Sequence, residues 1–154
     1  MPMPQVGQPA PDFQLQTDAG ETVRLSDLRG RSVVLFFYPE ADTPSCTVEA
    51  CGFRDHYSDF QAQGTAVFGI SPDSVGKQSA FSQKFGIPYP LLADADHRVA
   101  EAYGVWQLKK GADSEYMGVL RATFVIDPQG LVSHVHERVQ AEGHSQEVLQ
   151  ALGP

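Results

Sequence analysis

The chain has 154 residues, 42% of them hydrophobic and 19% charged, with nineteen Asp and Glu against eleven Lys and Arg for a net charge of −8. These proportions exclude disordered, collagenous and coiled-coil chains, and the acidic balance repels phosphate backbones and anionic lipid, so neither nucleic acid nor a membrane is expected as a partner. A chain of this length suits one domain, residues 1–154, that buries roughly 70% of the surface its unfolded state exposes.

The opening "MPMPQVGQPAPDF" has neither the basic nor the apolar region of a secretory signal. No apolar run approaches the roughly 18 residues of a membrane span. The cytoplasm is therefore the expected location, where structural disulfides are rare. "DFQLQT" and "ETVRL" alternate apolar and polar residues around "DAG", which predicts a β-hairpin. "SDLRG" reads as a short helical turn. Ser32 to Tyr38, "SVVLFFY", is an unbroken apolar run between Gly30 and Pro39 and is expected as a strand buried on both faces at the centre of the sheet.

From Thr43 the pattern becomes helical, with Thr43 as N-cap and Pro44 at the first position. Val48, Cys51, Phe53, Tyr57 and Phe60 are expected on one face, and Gly64 ends the helix. "TAVFGIS" reads as a second buried strand. "SVGKQSAFSQKFG" and "HRVAEAYG" read as helices closed by Gly86 and Gly104. "RATFVID" and "LVSHVHERV" flank "PQG" as a second hairpin, and Ser145 to Leu152 form a terminal helix. The order predicts an α/β fold, a mixed central sheet flanked by helices with an N-terminal β-hairpin.

The two cysteines, Cys46 and Cys51, stand at the start of the first long helix. At the third helical position, Cys46 lies near unpaired backbone N–H groups and the positive end of the helix dipole, and both favour the reactive thiolate. The cap also lets the Thr43 hydroxyl accept the Cys46 N–H and offer its own proton to a substrate oxygen. Five residues along an intact helix, Cys51 is turned about 140° and raised about 7.5 Å, which puts the two Cα atoms about 8.7 Å apart. That exceeds the roughly 7 Å limit for a disulfide, so pairing requires the first turns to unwind. Two buried thiols acting as small hydrophobes are the alternative, and it suits Cys51 better than Cys46. The series Cys46, Cys51, His56 also has a metal-ligand look, but five-residue steps fan the ligands around the helix axis. His134 and His136 share a strand face and could bind metal, although alternating histidines on a strand read more often as a solvated face, and His56, His97 and His144 have no convincing partners in sequence.

"FFYPEADTPSCTVEACGFRD" resembles the active-site segment of peroxiredoxins, whose Pro-x-x-x-Thr-x-x-Cys motif is met by Pro39, Thr43 and Cys46. The second cysteine in the same helix is similar to the peroxiredoxin Q group, also called bacterioferritin comigratory protein. "ISPDS", "FGIPYPLLAD", "AYGVW", "RATFVIDPQG" and "GHSQEVL" follow in the order this group shows, so the resemblance covers nearly the whole chain.

The resemblance implies a thioredoxin-like fold and a thiol peroxidase acting on hydrogen peroxide and organic hydroperoxides. It implies Cys46 as peroxidatic cysteine, Cys51 as resolving cysteine and Arg121 as the active-site arginine, with Pro39 and Pro44 supporting the site. Without it, Arg121 reads as a surface charge at a strand end. Glu49, one turn after Cys46, reads either as the residue that orients Arg121 or as a solvated helix charge. No metal, haem or flavin is implied. The expected partners are a peroxide and a thioredoxin or glutaredoxin-like reductant, with the chain a monomer or weak homodimer. Ser45 and Gln78 depart from the Gly and His that many members carry, and Gln78 is expected to leave the chemistry untouched. Two rivals remain: a thiol–disulfide oxidoreductase, which would normally carry C-x-x-C, and a non-catalytic binding module on the same fold.

Overall fold

The computed structural model describes residues 2–111, 113–137 and 139–152. In chain order the elements are β1 (Gln14–Thr17), β2 (Thr22–Arg24), a 3-10 turn (Leu25–Leu28), β3 (Val33–Phe37), α1 (Pro44–Asp55), α2 (Tyr57–Ala62), β4 (Ala66–Ser71), α3 (Val75–Phe85) and β5 (Leu91–Ala93). There follow α4 (Arg98–Ala102), β6 (Trp106–Lys110), β7 (Glu115–Val119), β8 (Ala122–Ile126), β9 (Val132–His136) and α5 (His144–Ala151). Seven strands form one mixed sheet in the order β2-β1-β5-β4-β3-β8-β9, while β6 and β7 pair as a separate antiparallel ribbon. β3 runs parallel to β4 and antiparallel to β8, so it is an interior strand, although β4 occupies the middle of the order.

Both faces of this sheet are covered, which is why β3 reads as a continuous apolar run. Val33, Leu35 and Phe37 enter one core with Phe68, Ile70, Phe124 and Tyr103. Val34, Phe36 and Tyr38 enter the other, beneath α1, α3 and α5, with Phe53, Phe81 and Val148. On that second face a Cβ at Gly69 would lie 2.7 Å from the Phe36 ring and 2.9 Å from Leu91, so only glycine lets these side chains meet across β4.

The expected hairpins, strands and capped helices form, and Gly86 closes α3 with φ +60°. The helix expected from Thr43 to Gly64 is divided at His56, whose backbone (φ −102°, ψ 6°) sits in the bridge region. Its buried face also differs from expectation. Cys46, Glu49, Ala50 and Phe53 point inward, whereas Val48 is 49% exposed and Cys51 is half-buried. The i, i+3, i+4, i+7 stripe beginning at Cys46 passes through a carboxylate, so a search for apolar residues alone misplaces the face. The short strand β5 and the β6–β7 ribbon have no counterpart in the sequence reading.

Candidate active site

The parallel strands β3 and β4 end beneath the N-terminus of α1, the edge of an α/β sheet where functional groups gather. Thr43 is the N-cap in extended conformation and Pro44 opens the helix, as expected. The first helical hydrogen bond runs from the Thr47 N–H to the Thr43 carbonyl at 2.9 Å. Cys46, one position earlier, therefore has no carbonyl of its own helix to receive its N–H.

Thr43 departs from the expected cap. Its side chain makes no capping bond to the helix, and its hydroxyl donates instead to the Glu40 carbonyl at 3.0 Å. The proton is thereby committed, and only the oxygen lone pairs remain free to accept.

Arg121, immediately before β8, reaches across to the helix. One guanidinium nitrogen, Nη2, lies 3.2 Å from Cys46 Sγ, and Nη1 donates to Glu49 Oε1 at 2.7 Å. Glu49 has no side-chain exposure and Arg121 has 14%. Burial raises the Glu49 carboxyl to about 7 against the opposing pull of Arg121. Burial works against the Arg121 charge, yet Glu49 and the Cys46 sulfur hold that guanidinium above its ordinary value. The sequence alternative of a solvated Glu49 is thus set aside, as is the surface reading of Arg121. The second Glu49 oxygen, Oε2, is buried with no hydrogen-bond partner among the described residues, so the carboxylate's fixed contact is with Arg121.

The Cys46 thiol, with residue exposure of 1%, borders a cavity of about 550 Å³ whose walls include Pro39, Thr43, Pro44 and Arg121. The opposite wall comes from the ribbon, through Trp106, Lys109, Met117 and Val119. Burial together with nearby Arg121 holds the Lys109 ammonium below its ordinary value. The sequence does not single out Trp106 or Lys109 as site residues. The signal is present in "WQLKK" and "EYMGV", two five-residue stretches on either side of a Gly-containing turn, which is a hairpin pattern. Phe37 and Phe124 are core, on the opposite face of the sheet. His97, which has no partner visible in sequence, stacks on Trp106 with ring centroids 3.9 Å apart.

The loop between β3 and α1 is tied down from below. The Ala41 N–H donates to Asp73 at 2.8 Å, and Lys77 reaches Glu40 at 2.7 Å and Asp73 at 3.2 Å. Gln78 is fully buried, accepts from the Tyr38 hydroxyl at 2.5 Å and donates to Ser71 Oγ and the Leu92 carbonyl. Gln78 therefore contributes to the floor of the loop rather than standing apart from the site. Cys51 lies beyond Ala50, whose carbonyl accepts the Tyr89 hydroxyl at 2.6 Å, and both cysteines are free thiols.

The chain as a whole has known relatives. Residues 6–135 match the model of the AhpC/TSA family. The chain belongs to that family. It is 46% identical over 148 residues to peroxiredoxin Bcp of Bacillus subtilis, covering 96% of this chain and 94% of the relative. Peroxiredoxin Bcp of Escherichia coli K12 is 41% identical over 146 residues, 95% of this chain and 94% of that one. A cysteine-to-serine mutant of peroxiredoxin Q from Xanthomonas campestris superposes with a TM-score of 0.90 at 32% identity, covering 96% of each chain. Within the family, the chain is thus a peroxiredoxin of the peroxiredoxin Q, or bacterioferritin comigratory, group with the thioredoxin fold.

Proposed function

We propose that Cys46 is the peroxidatic thiol of a thiol-dependent peroxidase and Cys51 its resolving partner. The observation that carries this reading is the Arg121 guanidinium, which touches Cys46 Sγ and Glu49 at once. The guanidinium lies 3.2 Å from that sulfur and its side chain lines the cavity where a peroxide oxygen would sit, so a fixed positive charge stands beside the reacting atoms. Glu49 positions that guanidinium. Thr43, its own proton held by Glu40, accepts from the hydroperoxide O–H and so orients the molecule.

The thiolate attacks the terminal peroxide oxygen, forming an S–O bond as the O–O bond breaks; the peroxide's own proton passes to the leaving alkoxide or hydroxide, which departs as alcohol or water, and the sulfenate takes a proton from solvent to become the sulfenic acid. Arg121 and the Cys46 N–H stabilise the charge spread over the separating oxygens. The first turns of α1 then open, the Cys51 thiol displaces the sulfenic oxygen as water, and an intramolecular disulfide forms. A dithiol reductant of the thioredoxin or glutaredoxin-like class returns both thiols by exchange. Substrates are hydrogen peroxide and organic hydroperoxides; the related bacterioferritin comigratory protein of Xanthomonas campestris has alkyl peroxide reduction activity.

Residues 1–154 act as a single domain, supported by a sheet that joins the N-terminal hairpin to β9. No helix among the described residues is long and apolar enough to cross a membrane. A cytoplasmic location and a monomeric or weakly dimeric state complete the proposal. Stopped-flow oxidation of the reduced protein with mass analysis tests it. Wild type should give a Cys46–Cys51 disulfide, Cys46→Ser none, and Cys51→Ser one fast oxidation without thioredoxin-linked turnover. Sustained turnover by Cys51→Ser would remove the resolving role.

A further inference from the structure

On the sheet face that carries the active site, but beside the end of β9, His136, His144 and Glu147 bring one donor atom each to within 4.8 Å of one another. We propose that they form a binding site for a divalent transition ion of the zinc class, two imidazoles and a carboxylate with water completing the set.

The spacings fit such an ion. His144 Nδ1 lies 3.1 Å from Glu147 Oε1, and His136 Nδ1 lies 3.4 Å from the same oxygen. Ligands about 2.05 Å from a tetrahedral zinc stand about 3.3 Å apart, so both spacings match edges of such a tetrahedron. The elements hold the donors in place: His144 and Glu147 are three residues apart on α5, and His136 comes from the neighbouring strand β9.

The groups around the donors suit an ion as well. His144 Nε2 sits 2.7 Å from Thr123 Oγ1, so with a metal on Nδ1 the remaining ring N–H has an acceptor that fixes its orientation. A cavity of about 270 Å³ opens onto the trio and is walled also by Glu137, Gln140 and Glu142, giving room for water and a negative field. Zinc suits this mixed nitrogen and oxygen set better than magnesium or calcium, which favour oxygen alone.

An ion here would tie β9 to the start of α5, which packs on α1. The next residue, Ser145, lies so close to α1 that a Cβ at Gly52 would come within 2.9 Å of its hydroxyl oxygen.

The test is titration of the reduced full chain with Co²⁺, followed by competition with Zn²⁺. The expected result is one ion per chain, with visible ligand-field bands but no sulfur-to-metal charge-transfer absorption, a rise in Tm, and displacement by Zn²⁺. His136→Ala and Glu147→Gln, at half-buried and exposed positions, should each weaken binding at least about tenfold while the chain stays folded, and Thr123→Val should weaken it about 10- to 100-fold. A sulfur charge-transfer band, loss of binding on alkylation of the cysteines, or unchanged affinity in His136→Ala would overturn the site.

Discussion

The two faces of the central sheet are built from the same strands by alternation, yet they bury different chemistry. On one face β3 contributes Val33, Leu35 and Phe37, β4 contributes Phe68 and Ile70, and β8 contributes Ala122, Phe124 and Ile126. On the other, β3 and the residue after it contribute Val34, Phe36 and Tyr38, β4 contributes Val67, Gly69 and Ser71, and β8 contributes Thr123 and Val125. This face is apolar at its lower end and becomes polar towards the carboxyl ends of the parallel strands, where α1 begins. Tyr38, Ser71, Gln78, Glu49 and Thr123 are all buried there. One face serves mainly cohesion, with Val119 and Trp106 at its margin reaching the cavity. The other gives up some cohesion to place hydrogen-bonding and charged groups under a thiol, which is where a fold's local rules are expected to yield to function.

This division can be broken at either face. The largest effect is expected from Arg121→Gln, which removes the charge shared by Cys46 and Glu49. The kcat/KM for hydrogen peroxide should fall about 10²- to 10³-fold, as for loss of one preorganised donor, and steady-state peroxide consumption measures it. An unchanged value would separate Arg121 from the chemistry.

On the opposite face, Leu35→Ala should cost about 2–5 kcal/mol by denaturant unfolding while the folded protein keeps its kcat/KM. A loss of activity without loss of stability there would erase the distinction between the faces.

The polar face should also make stability depend on pH. Glu49 holds its proton in the folded chain up to about 7, against an ordinary 4.5. Between those values the unfolded chain binds fewer protons than the folded one, so the stability contributed by protonated Glu49 is complete below pH 4.5 and is lost as pH rises through 7. The loss is on the order of 3 kcal/mol. Unfolding free energies of wild type and Glu49→Gln, measured from about pH 5 to 8, should converge or cross along that direction. Parallel curves would mean that Glu49 ionises alike in the folded and unfolded chains.

Much of the scaffold is local and legible in the sequence. The Thr-Pro start of α1, the glycine stops of α3 and α4, the hairpin turns and the doubly buried β3 each follow from dihedral preference or from a period of two or 3.6 within a short window. Short strands without a strong period, such as β5, do not. The resemblance of Pro39, Thr43 and Cys46 to a motif also singles out Cys46 as the candidate thiol without any knowledge of its surroundings.

The sequence by itself determined where α1 begins and hence that Cys46 sits among unpaired N–H groups, because capping and helix dipoles act within one turn. Only the tertiary structure decided that Glu49 is buried, that Trp106 and Lys109 face the thiol, and that the Thr43 proton goes to Glu40. Arg121 meets Cys46 across 75 residues and Glu49 across 72. A contact of that span depends on how the sheet orders its strands, and no local pattern encodes it. The buried carboxylate shows why: its favourable partner arrives only with β8, so from the sequence alone it has the look of any charge on a helix.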